Sequence, residues 1–185
     1  TFNKRLRIES VKPNRLKINL TFPEKMIQRG APLGAQLHGE WLTGARAGNL
    51  KYTPETEFTA TKSAFAGYEK YVFDNPYKIF RPETATEITR TTDAEGNATI
   101  NAVISGGEQA GGMLQAHILT RLFEPSGEAS IDATTVLYSP FKNYVGIKAP
   151  EGADRQLNTD QSYNFELASV TPDGKAAGSR TIEVN

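Results

Sequence analysis

Gly39-Glu40-Trp41-Leu42-Thr43-Gly44-Ala45-Arg46-Ala47-Gly48-Asn49-Leu50 contains the only tryptophan of this 185-residue chain. Upstream of it, Leu33, Ala35, Leu37, Gly39 and Trp41 occupy alternate positions, the period of a strand with one buried face. The strand breaks at Thr43, Gly44 and Ala45, and a second extended run begins near Leu50. An aromatic on a one-sided strand, followed by a turn of small residues, reads as the middle of a β-sandwich core. Burying Trp41 would remove roughly 150–250 Å² from water, or about 4–6 kcal/mol at about 25 cal/mol per Å² as an upper bound. The stretch is chemically inert, so it speaks to architecture rather than to a reaction.

Outward from it, strand signals arrive at short intervals. Residues 5–11 alternate, Pro13-Asn14 interrupts, and Leu16, Ile18, Leu20 and Phe22 alternate until Pro23. Tyr52, Pro54, Thr56 and Phe58 share one face of a later run. Frequent threonine suits half-exposed strands. Residues 63–83 carry Phe65, Tyr68, Tyr71, Phe73, Tyr77 and Phe80 without a period, which reads as a long crossover pinned by large side chains. Three turns follow at Asp93-Ala94-Glu95-Gly96, Glu124-Pro125-Ser126-Gly127 and Thr171-Pro172-Asp173-Gly174, each with glycine where a positive φ is needed and each read as a hairpin tip or strand start. Strands are expected over 100–104, 115–123, 131–138, 142–148, 163–170 and 181–184. Helix signals are weak, at 24–29 and 64–72. These readings predict an all-β chain, an antiparallel β-sandwich of immunoglobulin or fibronectin-III type with part of a second β domain. The expected division is 1–12 as an end strand or linker, 13–140 as the sandwich, and 141–185 as a partial second domain. The last piece, with about three strands, is too small to close a sandwich alone. It must pack on the first domain or be a truncated second one.

Composition narrows the function classes. Lys+Arg 21 against Asp+Glu 21 gives zero formal charge, so no basic field calls for nucleic acid. The cluster Lys4-Arg5-Leu6-Arg7, with Lys12, Arg15 and Lys17, alternates with apolar residues as the wet face of strands does. No apolar run reaches the roughly 18–20 residues that span a bilayer, so membrane insertion by this segment is not expected. The absence of cysteine removes disulfides, thiolate nucleophiles and cysteine metal ligands, and it leaves the compartment open. The opening Thr1-Phe2-Asn3 has no methionine or leader and reads as an excised piece of something longer.

Candidate chemistry is sparse. Gly106-Gly107-Glu108-Gln109-Ala110-Gly111-Gly112 lacks the following helix and the lysine of a phosphate cradle, and reads as a flexible hairpin loop. His38 is expected to face solvent, opposite Trp41, and the face of His117 stays open. Neither has carboxylates at ligand spacing. No Gly-x-Ser-x-Gly elbow occurs. Asp93/Glu95 and Asp154/Asp160 lack the oxygen density of a calcium loop. No catalytic, cofactor-binding or metal residue is nominated, and no cofactor is expected.

Several segments taken together resemble the bacterial alpha-2-macroglobulin family. Lys4-Arg5-Leu6-Arg7-Ile8-Glu9, running into Val11-Lys12-Pro13-Asn14-Arg15-Leu16, resembles the join between successive macroglobulin-like domains. The stretch from Trp41 to Leu50 resembles the strand–turn–strand with a Gly-Ala-Pro-Ala turn, with Arg46 in place of the proline. Thr92-Asp93-Ala94-Glu95-Gly96-Asn97-Ala98 resembles the family's Thr-Asp-x-x-Gly hairpins. Tyr144-Val145-Gly146-Ile147-Lys148 and Val170-Thr171-Pro172-Asp173-Gly174-Lys175 resemble the opening of a following module. Gly107-Glu108-Gln109 matches the tail of the family's Cys-Gly-Glu-Gln thioester sequence, but Gly106 stands at the cysteine position, so no thioester can form there.

The resemblance implies a non-catalytic scaffold segment of a protease-trapping endopeptidase inhibitor of the periplasm or outer cell envelope. Its partners would be neighbouring macroglobulin-like domains of the same chain and, through the whole protein, host or environmental proteases. A rival reading is an adhesin-like or carbohydrate-binding sandwich using Tyr68, Tyr71 and Tyr77 as a platform. An enzyme would need two carboxylates facing each other across a cleft, and the sequence nominates none.

Overall fold

Leu16, Ile18 and Leu20 are buried and alternate with exposed Lys17, Asn19 and Thr21, which makes β1 (Leu16–Thr21) a strand with one apolar face. The computed structural model describes residues 14–86, 88–150, 157–178 and 181–182. The remaining strands among them are β2 (Met26–Gln28), β3 (Ala35–Trp41), β4 (Lys51–Ala60), β5 (Glu83–Thr86), β6 (Arg90–Thr91), β7 (Asn97–Ile100), β8 (Leu114–Phe123), β9 (Ala129–Ser139), β10 (Tyr144–Lys148) and β11 (Glu166–Val170). No helix occurs among the described residues, and the weak helix signal at 24–29 resolves into β2. The chain is all-β, as expected. The strand expected over 5–11 and the segment 1–12 lie outside the described residues.

Two sheets face each other. One has the order β1-β3-β7, and the other β2-β9-β8-β4-β5 with β6 also on β4. Leu16, Leu20, Ala35, Leu37 and Ile100 on the first meet Tyr52, Phe58, Leu114, Ile118, Leu122 and Tyr138 on the second in one core. β8 and β9 form the long hairpin expected around Gly127, with Glu124 N–H donating to the Glu128 carbonyl at 2.7 Å. Asn14 extends it, because its side-chain amide exchanges hydrogen bonds with the backbone of Ile131 at 2.9 and 3.2 Å. The start of β1 is thereby tied to β9.

Four expectations are corrected. All pairings are antiparallel except β2 with β9, which is parallel. The chain turns at Pro23, leaves the first sheet and adds β2 to the edge of the second, a step that three residues cannot announce by periodicity. The strand expected over 100–104 lies instead at Asn97–Ile100, and of the two readings of the Asp93 turn it is the strand start that holds: β6 pairs with β4 and β7 with β3, so the chain crosses between sheets there. The glycine-rich run is no flexible hairpin but a second crossing, from β7 to β8, with Gly107, Ala110 and Gly112 buried. Trp41 keeps the predicted parity but is only half-buried, packed at the edge of the core with the Arg15 guanidinium 5.6 Å from its ring centroid. It ends β3 where the sandwich opens to water.

The turn after Trp41 is held by Trp41 N–H donating to the Ala45 carbonyl at 2.8 Å, with Gly44 at φ 83°. Thr92 then fastens it to the sheet crossing: its hydroxyl accepts from Leu50 N–H at 3.0 Å and donates to the Ala47 carbonyl at 3.1 Å.

Beyond Ser139, β10 and β11 form a separate antiparallel pair, shorter than the expected runs. Thr181 and Ile182 are not in a strand, and 183–185 lie outside the described residues.

Candidate functional site

The sequence nominates no reactive group, and what the fold assembles is a joint. Residues 61–82 run irregularly between β4 and β5 and carry their aromatics to the base of the β10–β11 pair. Phe65, Phe73, Met113, Tyr144 and Val170 form a second buried cluster, with Tyr68, Tyr71 and Phe141 packed on it. Phe65 and Phe73 meet edge to face at 4.7 Å, and Phe141 meets Tyr144 similarly at 5.7 Å. The pinning role expected of this segment is what most of its rings perform.

Polar contacts complete the joint. Ser63 N–H donates to both carboxylate oxygens of Asp74, at 3.1 and 3.2 Å, and Ser63 Oγ accepts from Met113 N–H at 2.7 Å. A Cβ on Gly112 would lie 1.9 Å from Asp74 Oδ1, so only glycine lets the second crossing pass. Val72 and Ile147 exchange backbone hydrogen bonds at 2.9 and 3.0 Å, which adds residue 72 as a third row to the strand pair. Tyr71 Oη donates to Glu166 Oε2 at 3.0 Å, and Lys148 Nζ donates to Glu166 Oε1 at 2.7 Å. The Lys148 bond, with that of Tyr71, holds the Glu166 carboxyl below its ordinary range, while the Glu166 bond raises Tyr71. Burial pushes the Tyr144 phenol up.

A groove of about 1140 Å³ lies beside the joint, between β2 and the 171–173 turn, with Met26, Ile27, Leu137, Lys142 and Pro172 among its walls. Glu24 and Asp173 also line it, and Asp173 is engaged by Lys175 at 2.6 Å and by the Thr171 hydroxyl.

The other residues weighed from sequence serve local structure. His38 is exposed, and its Nδ1 is 2.7 Å from Asn97 Oδ1. His117 lies on the outer face of β8, between the hydroxyls of Thr59 at 2.9 Å and Thr135 at 2.8 Å. Asp93 Oδ1 accepts from the N–H groups of Asn97 at 2.7 Å and Glu95 at 3.0 Å, and chiefly the Asn97 bond lowers its pKa. Asp160 sits in a turn at φ 64°, and Asp154 lies outside the described residues. Arg15 is paired with Glu124 at 2.9 Å and Lys17 with Glu40 at 2.8 Å, and both basic side chains lie on the wet side of β1. The Gly107 N–H donates to Glu83 Oε2 at 3.0 Å, a contact internal to the fold. Among the described residues no three His, Cys, Asp or Glu side chains are grouped as metal ligands, and no helix is long and apolar enough to cross a membrane.

The tyrosine platform is not assembled. Tyr68 and Tyr71 are half-buried and meet at 74°, while Tyr77, 93% exposed, stands away from them in the 75–81 loop.

Residues 14–140 match the family described as the bacterial alpha-2-macroglobulin MG5 domain. No curated protein matches the chain. Among solved structures, native E. coli alpha-2-macroglobulin shares 17% identity at a TM-score of 0.59, over 90% of this chain and 11% of its own. Salmonella alpha-2-macroglobulin reacted with methylamine gives 17% and 0.56, over 93% and 12%. E. coli alpha-2-macroglobulin activated by porcine elastase gives 18% and 0.56, over 89% and 15%. The chain therefore spans less than a sixth of the length of these structures. With the family matched over most of its length and a sandwich to go with it, the chain belongs to the bacterial alpha-2-macroglobulins, in the part occupied by their MG5 domain.

Proposed function

We propose that this chain is a non-catalytic scaffold segment of a protease-trapping protein of the bacterial periplasm or outer envelope. The observation that carries the reading is the joint: large side chains and close-fitting glycines are spent on fixing one β unit against another. A sandwich of residues 13–140 followed by the first strands of a further module accounts for that use. Such a joint transmits orientation, because packed elements move as bodies rather than deforming continuously. The E. coli relative is activated by porcine elastase, and any change of domain orientation on activation of this protein would pass through joints like this one. The whole polypeptide would take proteases as partners, and this segment would take its neighbouring domains.

The test compares variants of the complete polypeptide for retention of elastase or trypsin after cleavage. Replacing His38, His117 or Asp93 by alanine is expected to leave retention unchanged, whereas Gly146→Ala lowers it by loosening the joint. A hydrolytic activity in the purified chain that one carboxylate substitution abolishes would refute the scaffold reading.

A further inference from the structure

Tyr52 stands on β4, paired with Leu122 of β8 on one side and with Arg90 of β6 on the other. Its ring belongs to the core between the two sheets, and the residue is 2% exposed. Directly paired residues of an antiparallel ladder project to the same face, so Arg90 stands on the core side of its sheet. The facing sheet has only three strands and stops at β7, which leaves Arg90 exposed. At this open side of the sandwich lies a recess of about 450 Å³, with Tyr52, Arg90, Thr92, Asp93, Ala98 and Thr99 among its walls. The other two buried tyrosines are served by the protein: Tyr138 Oη donates to the Gly106 carbonyl at 3.2 Å, and Tyr144 Oη lies 2.7 Å from the Ser139 hydroxyl. The Tyr52 hydroxyl has no partner among the described residues. It is also not one of the sealed, partnerless hydroxyls, which are those of Thr56, Thr120 and Ser169, so it opens into the recess that Tyr52 lines. A buried phenol ordinarily finds a partner for its O–H. Arg90 is likewise unpaired among the described residues, whereas Arg15, Arg29, Arg46 and Arg121 are each held by a glutamate. Its charge is felt at the phenol, where burial pushes the pKa up and Arg90 opposes that push. The neighbouring polar groups are already engaged. The Thr92 hydroxyl is used by Leu50 and Ala47, and Asp93 by the N–H groups of Glu95 and Asn97.

We propose that this recess binds a small organic acid, its carboxylate held by the Arg90 guanidinium with the Tyr52 hydroxyl donating to one of its oxygens. A guanidinium presents N–H donors in a planar fork that matches a carboxylate, and a phenol adds an uncharged donor. Charge selects the monoanion. Arg90 supplies a single positive charge and Asp93 also lines the recess, so a phosphate dianion would bring a second negative charge that nothing balances. The site is independent of the scaffold role, which neither requires nor supplies a ligand here.

The test is a titration of the isotope-labelled 185-residue chain with sodium acetate, exchanged for chloride at constant ionic strength and followed by amide NMR. Acetamide and inorganic phosphate are titrated in parallel. The expected result is saturable shifts confined to the amides around Tyr52, Arg90 and 97–99, absent with acetamide and weaker with phosphate. Arg90→Gln is expected to weaken acetate binding by about tenfold or more, as loss of a charged hydrogen bond does. Tyr52→Phe is expected to weaken it by about threefold or more while leaving Tm no lower, because the hydroxyl has no partner inside the fold. Shifts that do not saturate, or that persist unchanged in Arg90→Gln, would overturn the assignment. So would equal shifts with acetamide, or tighter binding of phosphate than of acetate. Undiminished binding in Tyr52→Phe would remove the phenol from the site and overturn it as well.

Discussion

The hydroxyls of Ser139 and Tyr144 lie 2.7 Å apart in a buried position, at either end of the turn by which the chain leaves the sandwich. Ser139 Oγ also donates to the Phe141 carbonyl at 2.8 Å, so the Tyr144 hydroxyl is the donor in the pair. This small relay joins the last strand of the large sheet to the first strand of the pair.

The relay is asymmetric, and so is the cost of breaking it. Tyr144→Phe leaves Ser139 bonded to Phe141 and is expected to cost about 1 kcal/mol. Ser139→Ala strands a buried phenol and is expected to cost more, about 1–3 kcal/mol. Urea unfolding of both variants checks the order.

Gly146 passes over Phe73 so closely that a Cβ would lie 2.5 Å from the ring's Cε1. Gly146→Ala must push the strand pair away from the second cluster, at a cost of about 1–3 kcal/mol as for other overpacked sites. Limited proteolysis should then cut within 141–178 before it cuts 14–140.

Trp41 is half-buried, so the loss on Trp41→Ala is smaller than full burial would give. A decrease of about 2 kcal/mol is expected, against about 3–5 for a fully buried aromatic. A fluorescence-independent melt, by circular dichroism, measures it. A midpoint unchanged from the parent would show that the ring does not brace the end of β3.

Thr56 and Thr120 place their hydroxyls in the core without a hydrogen-bond partner. They sit diagonally across β4 and β8, where Thr56 pairs with Ile118 and Pro54 with Thr120. Thr→Val at either site removes a desolvated hydroxyl and is expected to stabilise by about 1 kcal/mol, raising Tm by about 2–4 °C.

Asp173 accepts bonds from Lys175 and Thr171, which hold its pKa at about 2 against an ordinary 3.8. A carboxyl depressed in the folded state adds stability above its unfolded value and loses it as pH falls through the folded one. Thermal midpoints should therefore drop between about pH 4 and pH 2, with Asp93 contributing in the same direction. Asp173→Asn should flatten part of that slope.

The long strands were legible because each alternates over enough residues to declare its buried face. β1, β3, β4, β8 and β9 all lie where Leu16, Ala35, Tyr52, Leu114 and Val136 set the period, and the family could be read from the turns between them. The sequence also marked the irregular aromatic run at 63–83 as pinned rather than free. It did not show which sheet a short strand joins. β2, β6 and β7 span two to four residues, and their partners are chosen by the crossings at Pro23 and Asp93, which depend on how two twisted sheets meet. Nor did it show that Gly106 to Gly112 is packed, since the contacts that bury Gly112 come from Asp74 and Ser63, far away along the chain. By itself the sequence determined an all-β chain without cysteine chemistry, because composition and period are local properties. Only the tertiary structure decided that Trp41 sits at an edge, that Phe73 and Tyr144 build a joint, and that Tyr52 and Arg90 share the open side of the sandwich. Those are relations between distant residues, fixed by packing rather than by any stretch of the chain alone.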